Sequence, residues 1–198
     1  TIGGLAIFVA FNIGEFVLLR KDFPTHELFS VLLASSVIIL TGLIDDILKL
    51  KPRQKMFGIF VASLVVYFLA GIKVRELSLP FLGHIQLGWW SFPLTIFWIL
   101  ALTNAVNLID GLDGLSSGIS IIVLCVIGFI AYQMRRIDAA IVALIMVGSI
   151  AGVLPYNFHP ASIFVGDCGA LFMGYMISCL SLLGFKSTAF VSLVFPLI

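Results

Sequence analysis

Asn-Ala-Val-Asn-Leu-Ile-Asp-Gly-Leu-Asp-Gly-Leu, residues 104–115, sets two amides and two acids among residues apolar enough for a membrane interior. The four polar side chains, Asn104, Asn107, Asp110 and Asp113, recur at every third position. On an unbroken helix a step of three turns each successive side chain back by about 60°, so Asn104 and Asp113 would end on opposite faces. One straight helix cannot aim all four at one ligand. Gly111 and Gly114 each follow an acid and supply the break, so the stretch predicts a helix ending near Ile109 and another starting near Leu115. The acids then crown a helix end. Asn and Asp beside Gly are also ordinary turn chemistry between helices. A calcium loop is excluded, because its oxygen ligands come at every second residue and these come at every third.

Outward from this stretch the composition is that of an integral membrane protein. Of 198 residues, 61% are hydrophobic and 11% charged, against about 25% charged in soluble domains, and the mean hydropathy is +1.21. A net charge of +1, with no basic stripe interleaved with aromatics, excludes nucleic acid as a partner. Cys125, Cys168 and Cys179 do not form an even, regularly spaced framework, so no disulfide is expected. The chain begins at Thr1 without Met and stops at Ile198 inside an apolar run. The expectation is a fragment, truncated at both ends, of a single integral membrane domain over 1–198. The first apolar run lacks a basic leader and a small-residue cleavage site, so no signal peptide is visible.

Apolar runs of about spanning length occupy 3–19, 28–44, 56–72, 89–106, 115–132, 138–155 and 169–185, with an incomplete one at 187–198. Within lipid only helices or closed barrels satisfy their own backbone groups. The predicted fold is an all-α polytopic bundle of about eight transmembrane helices. Between spans three and four, 74–79 and 84–87 alternate around Pro80 and Gly83 and predict a small β-hairpin outside the membrane. Counting spans puts the loops 45–55, 104–114 and 156–168 on one membrane face. That face carries Asp45, Asp46, Asp110, Asp113 and Asp167 with Lys49, Lys51, Arg53 and Lys55; the other carries Arg20, Lys21, Lys73, Arg75, Arg135, Arg136 and Lys186. By the positive-inside rule the acidic face, poorer in basic residues, would lie outside.

Three of these loops hold candidate chemistry. The adjacent acids Asp45 and Asp46 repel, and keeping both ionised asks for a cation partner; an ion pair from Asp45 to Lys49 one turn on is the plain alternative. The Asp-Asp-x-x-Asp pattern of soluble prenyl synthases fails, because Lys49 stands in its last place. In Phe-Val-Gly-Asp-Cys-Gly-Ala, Asp167 precedes a run that predicts a helix from about Gly169, so it reads as the N-cap alone or as a ligand-binding acid, and the two roles are compatible. Cys168 is a soft ligand among hard oxygens and reads as a small space-filler, and His159, before Pro160, reads as a solvated or locally bonded loop residue. Carboxylates without other ligand types point to Mg²⁺, which takes one or two of them and fills its other positions with water and phosphates. The basic residues on the same face suit phosphate too. Together they describe a site where a phosphorylated, water-soluble donor meets a lipid acceptor.

Asp45-Asp46, the 104–115 stretch and Phe-Val-Gly-Asp-Cys-Gly-Ala resemble, in order, the signatures of the polyprenyl-phosphate N-acetylhexosamine-1-phosphate transferases, and the opening Thr1-Ile-Gly-Gly resembles that family's first signature. Asn-Leu-Ile-Asp and Cys-Gly-Ala-Leu-Phe-Met-Gly are more similar to the bacterial N-acetylglucosamine branch than to the phospho-N-acetylmuramoyl-pentapeptide branch. The resemblance implies transfer of N-acetylglucosamine 1-phosphate, or a related hexosamine 1-phosphate, from a UDP-sugar to undecaprenyl phosphate, releasing UMP. This would be the first membrane step of cell-envelope polysaccharide synthesis, in a bacterial plasma membrane with the site facing the cytoplasm and a homodimer as the candidate assembly.

By the same resemblance Asp45, Asp46, Asp110 and Asp167 form the catalytic set. Asp167 and Asn107 hold Mg²⁺, with Mn²⁺ as an alternative, and Asp45 or Asp46 lies near the acceptor phosphate. Asn107 and Asp110 bind the nucleotide with Asn104, Asp113 and Phe164, and Lys55 meets a phosphate. A later His- and Arg-rich loop of the family is expected beyond Ile198. Readings from other classes stay open: an intramembrane prenyltransferase, or an ion-coupled transporter, which would set its acids deep within spans.

Overall fold

The computed structural model describes residues 2–18, 25–74, 76–79 and 83–184. Among the described residues seven α-helices follow the apolar runs: α1 Ile2–Leu18, α2 Thr25–Leu48, α3 Pro52–Val65, α4 Ser91–Ile109, α5 Leu115–Gln133, α6 Ile137–Asn157 and α7 Gly166–Gly184. Six of these segments, α3 counted with the π-helical turn Val66–Ala70 that extends it, are long and apolar enough to cross a membrane. α1, at 17 residues, is a shorter apolar helix. The expected eighth span, at 187–198, lies outside the described residues. Large apolar side chains such as Phe97, Leu108, Ile122, Phe129 and Leu144 face outward. Lipid is the solvent that makes such a surface stable.

Helix ends depart from the expected ones where polar side chains act. α2 continues to Leu48 and α3 begins at Pro52, so the expected loop 45–55 is only the connection 49–51. Asp45 closes the end of α2: its Oδ1 accepts the Leu50 N–H at 2.8 Å and its carbonyl accepts the Lys49 N–H at 2.8 Å. Lys49 takes a left-handed conformation, φ 49°, the usual exit from a helix C-terminus. Pro52 then suits a first helical position, where no N–H is needed. The α4–α5 break falls where the sequence predicts it, with Gly114 left-handed at φ 73°.

α7 is the central helix. Residues from Ala170 to Leu180 are almost continuously buried, and α7 packs against α1, α2, α4, α5 and α6. Glycines permit the close approach. A Cβ on Gly4 would sit 2.4 Å from the Gly169 nitrogen, one on Gly42 2.4 Å from the Cys168 Cα, and one on Gly174 2.7 Å from the Thr103 Cα. Association in lipid depends on such small residues, because apolar burial gives no preference for protein over acyl chains.

Between α3 and α4 lies an antiparallel pair, β1 Glu76–Leu79 and β2 Gly83–Gln86, with Glu76 opposite Gln86 and Leu79 opposite Gly83. β1 is two residues shorter than the predicted 74–79, and β2 keeps four residues but begins one residue before the predicted 84–87. Val74 has left the ladder because its N–H donates to Thr95 Oγ1 at 3.0 Å. Successive helices alternate in direction, so the hairpin stands at one end of the bundle and the three connections α2–α3, α4–α5 and α6–α7 meet at the other.

Candidate active site

At that second end, one ammonium joins three helices. Lys55, in the first turn of α3, lies 2.5 Å from Asp45 Oδ2 at the end of α2 and 2.7 Å from Asp167 Oδ1 at the start of α7. Asn107, near the end of α4, adds its Oδ1 at 3.2 Å from the same nitrogen. Asn107 Nδ2 also donates to Asp167 Oδ1 at 2.6 Å, which closes the set. The side chains of Asp45 and Lys55 are 5% and 17% exposed, that of Asp167 37%. The cluster is therefore buried on the Asp45 side and open on the Asp167 side. The sequence offered Lys49 as Asp45's partner; the left-handed turn at Lys49 ends the helical spacing that this pair needs, and Lys55 takes its place.

Asp46 turns to a different task. Its Oδ1 accepts the N–H of Asp167 at 2.9 Å and its Oδ2 that of Cys168 at 3.3 Å. These are orphan donors of the first turn of α7, and a carboxylate is favoured there by both hydrogen bonding and the helix dipole. α7 accordingly begins at Gly166, three residues before the expected start. Asp167 is not the N-cap, because Asp46 caps α7 from another helix and leaves the Asp167 side chain to Lys55 and Asn107. Cys168 is fully buried, its Sγ 3.9 Å from the Ile39 carbonyl, as a space-filling residue between α2 and α7.

The other expected site residues divide between the cluster and the loops around it. Asp110, which ends α4, accepts a short hydrogen bond from Ser116. Burial pushes its carboxyl above the ordinary value of 3.8; the Ser116 bond opposes this, and the negative charges of Asp167 and Asp46 add to it. Asp113 faces the α6–α7 loop, where its Oδ2 accepts the Ala161 N–H at 3.2 Å and lies 3.2 Å from His159 Nδ1. It braces two loops against each other. Phe164 is 59% exposed, and its carbonyl accepts the Gly3 N–H at 3.2 Å while that of Val165 accepts Gly4 at 3.2 Å. The opening glycines thus tie α1 to the loop before Asp167. Asn104 is half-buried one turn further into α4, and its side chain makes no hydrogen bond with the described residues.

Two polar contributors were missed in the sequence. Ser116 holds Asp110, and buried Asn157 joins Ser117 Oγ at 3.0 Å to the Ile163 carbonyl at 3.1 Å. A polar pair beginning two residues after Gly114, and a lone amide at the end of an apolar run, were the available signals.

Among the described residues no three His, Cys, Asp or Glu side chains gather into a metal cage. The donor set fits Mg²⁺ in another way. Both hydrogen bonds to Asp167 fall on Oδ1, so Oδ2 of a part-exposed carboxylate is open, and one carboxylate completed by water and phosphate oxygens is a normal Mg²⁺ environment.

A family model described as glycosyl transferase family 4 matches residues 28–185. The chain is 41% identical, over 99% of its length, to a probable undecaprenyl-phosphate N-acetylglucosaminyl 1-phosphate transferase of Bacillus subtilis (strain 168), of which it covers 54%. It is 34% identical, over 90% of its length, to a phospho-N-acetylmuramoyl-pentapeptide-transferase of Listeria monocytogenes serovar 1/2a, covering 57% of that protein. A phospho-N-acetylmuramoyl-pentapeptide-transferase of Latilactobacillus sakei is 34% identical over 92% of the chain, which covers 61% of it. The chain spans a little over half the length of the curated relatives it matches.

Proposed function

The chain belongs to glycosyl transferase family 4, and on that footing we propose that the protein moves N-acetylglucosamine 1-phosphate from UDP-N-acetylglucosamine to undecaprenyl phosphate, releasing UMP. The observation that carries this reading is the meeting of Lys55, Asp45, Asn107 and Asp167 at one end of an apolar bundle. A water-soluble diphosphate can reach that end, and a prenyl chain can approach it through lipid. The higher identity to the N-acetylglucosaminyl relative than to the pentapeptide transferases favours the former sugar. Acids at helix ends, rather than mid-span, disfavour an ion-coupled transporter.

In the proposed reaction a lipid-phosphate oxygen attacks the phosphorus that bears the sugar. A new P–O bond forms, the P–O bond to the bridging oxygen breaks, and UMP leaves with that oxygen. A phosphate monoester with a second pKa of about 6 is already largely dianionic near neutrality, so no Asp is required to remove a proton. The protein's contribution is position and charge. Lys55 faces the developing phosphate charge, Asn107 fixes the Asp167 carboxylate, Asp46 fixes the backbone that carries it, and Asp110 with exposed Phe164 borders the nucleotide. When bound, Mg²⁺ would neutralise the donor diphosphate, held by Asp167 and Asn107. Because a UDP-sugar is a cytosolic donor, the cluster faces the cytoplasm in this reading.

Radiolabelled transfer tests the proposal. The full-length protein, offered several UDP-sugars with undecaprenyl phosphate and Mg²⁺, should label the lipid from UDP-N-acetylglucosamine and release UMP. Labelling only from the UDP-N-acetylmuramoyl-pentapeptide would move the protein to the other branch, and no lipid labelling from any donor would refute the proposal.

A further inference from the structure

The arrangement around Lys55 has the form of a cation site whose cation is part of the chain. Three oxygens from three helices, Asp45 Oδ2, Asp167 Oδ1 and Asn107 Oδ1, surround Nζ at 2.5, 2.7 and 3.2 Å. We propose that Lys55 is a resident counter-ion exchanged against the divalent ion, so that its ammonium and the metal hold Asp167 in alternation. The inference rests on the reading of Asp167 as the metal-holding residue.

The two carboxylates that Lys55 bridges are unequal. Asp45 is nearly inaccessible, and its other oxygen is committed to the Leu50 N–H, so it cannot turn outward to meet an ion from solvent. Asp167 is half-exposed, with Oδ2 open. A dication on Asp167 would repel an ammonium 2.7 Å from the same carboxylate, and at such separations the repulsion exceeds what solvent screening removes. Lys55 has somewhere to go, because its flexible four-carbon stem lets Nζ leave Asp167 while keeping Asp45. Asp45 then serves as the anchor that draws the ammonium back, a positioning residue acting through Lys55. Without metal, Lys55 keeps Asp167 and Asp45 from standing as bare, adjacent negative charges. With metal, the same ammonium is released toward the phosphates.

The two residues therefore affect metal affinity in opposite directions. Lys55→Met removes the competitor and should tighten Mn²⁺ binding to the full-length protein by tenfold or more, read by electron paramagnetic resonance without any substrate. Asp45→Asn removes the anchor, leaves the ammonium on Asp167, and should weaken Mn²⁺ binding by a similar factor. Lys55→Gln, which keeps hydrogen-bond donors for buried Asp45, should also tighten binding and serves should Lys55→Met fail to fold. If the native protein binds Mn²⁺ and both Lys55 variants bind it no more tightly, the exchange is wrong while the metal reading stands. If no form binds Mn²⁺ at all, both are wrong.

Discussion

Asp46 caps the helix that carries Asp167: its carboxylate takes the backbone N–H of Asp167 at 2.9 Å and of Cys168 at 3.3 Å, across 121 residues of sequence. Of two adjacent acids, Asp45 thus serves the lysine and Asp46 the backbone. The division is set by helix geometry, since neighbouring positions on α2 point about 100° apart.

Replacing Asp46 separates capping from chemistry. Asp46→Ala strands the N–H groups of Asp167 and Cys168, costs about 1 kcal/mol as a lost cap does, and lets the start of α7 drift, so both melting temperature and turnover should fall. Asp46→Asn keeps one acceptor oxygen and should retain most of the stability. Thermal melts of both variants beside their turnover check this; equal loss of turnover with unchanged stability in both would make Asp46 a direct participant.

Asp110 should leave a signature in the pH dependence of stability. Its folded-state pKa is raised, by burial first and by the charges of Asp167 and Asp46 after the opposing Ser116 bond. The folded state therefore binds its proton more tightly than the unfolded chain. The contribution is fully present below the ordinary value of 3.8 and is lost as pH rises through the higher folded value. Asp110→Asn removes this dependence. Melting temperatures of the two proteins should converge as pH falls toward that window, with the variant gaining relative to the native protein as pH rises. A difference that stays constant across the window would mean that the carboxyl does not titrate as described.

The facing of the cluster is tested by labelling. All three native cysteines are free thiols, so the background must first be made cysteine-free. A cysteine at Lys51, between α2 and α3, should be protected from an impermeant reagent applied outside cells, and one at Arg135, between α5 and α6, should react. The reverse pattern would make the count of basic residues the better guide to orientation.

The helical bundle, the break after Ile109 and the gathering of three loops were legible in the sequence, because apolar length and glycine position are local properties. The partners within the cluster were not. Asp45 with Lys49 was the local choice, and it failed because the chain leaves the helix at Lys49 in a left-handed turn. The start of α7 was placed too late because its cap, Asp46, comes from a helix more than a hundred residues earlier. Asp113 looked equivalent to Asp110 by spacing, yet the break that frees both sends Asp113 to the Ala161 backbone and His159. Residue types singled out the candidate residues, whereas long-range packing assigned each residue its neighbour.

In the proposed function Asp167 holds the metal rather than supporting the fold, and turnover of the full-length Asp167→Asn variant, measured beside its melting temperature, separates the two roles. Asn keeps the shape and one oxygen for Lys55 and Asn107, and Asp46 still caps α7, so the melting temperature should stay close to that of the native protein. The lost charge should nevertheless lower turnover by a hundredfold or more, equivalent to about 2.7 kcal/mol of transition-state stabilisation. Near-native turnover at an unchanged melting temperature would contradict the account and leave Asp167 a structural partner of Lys55 alone.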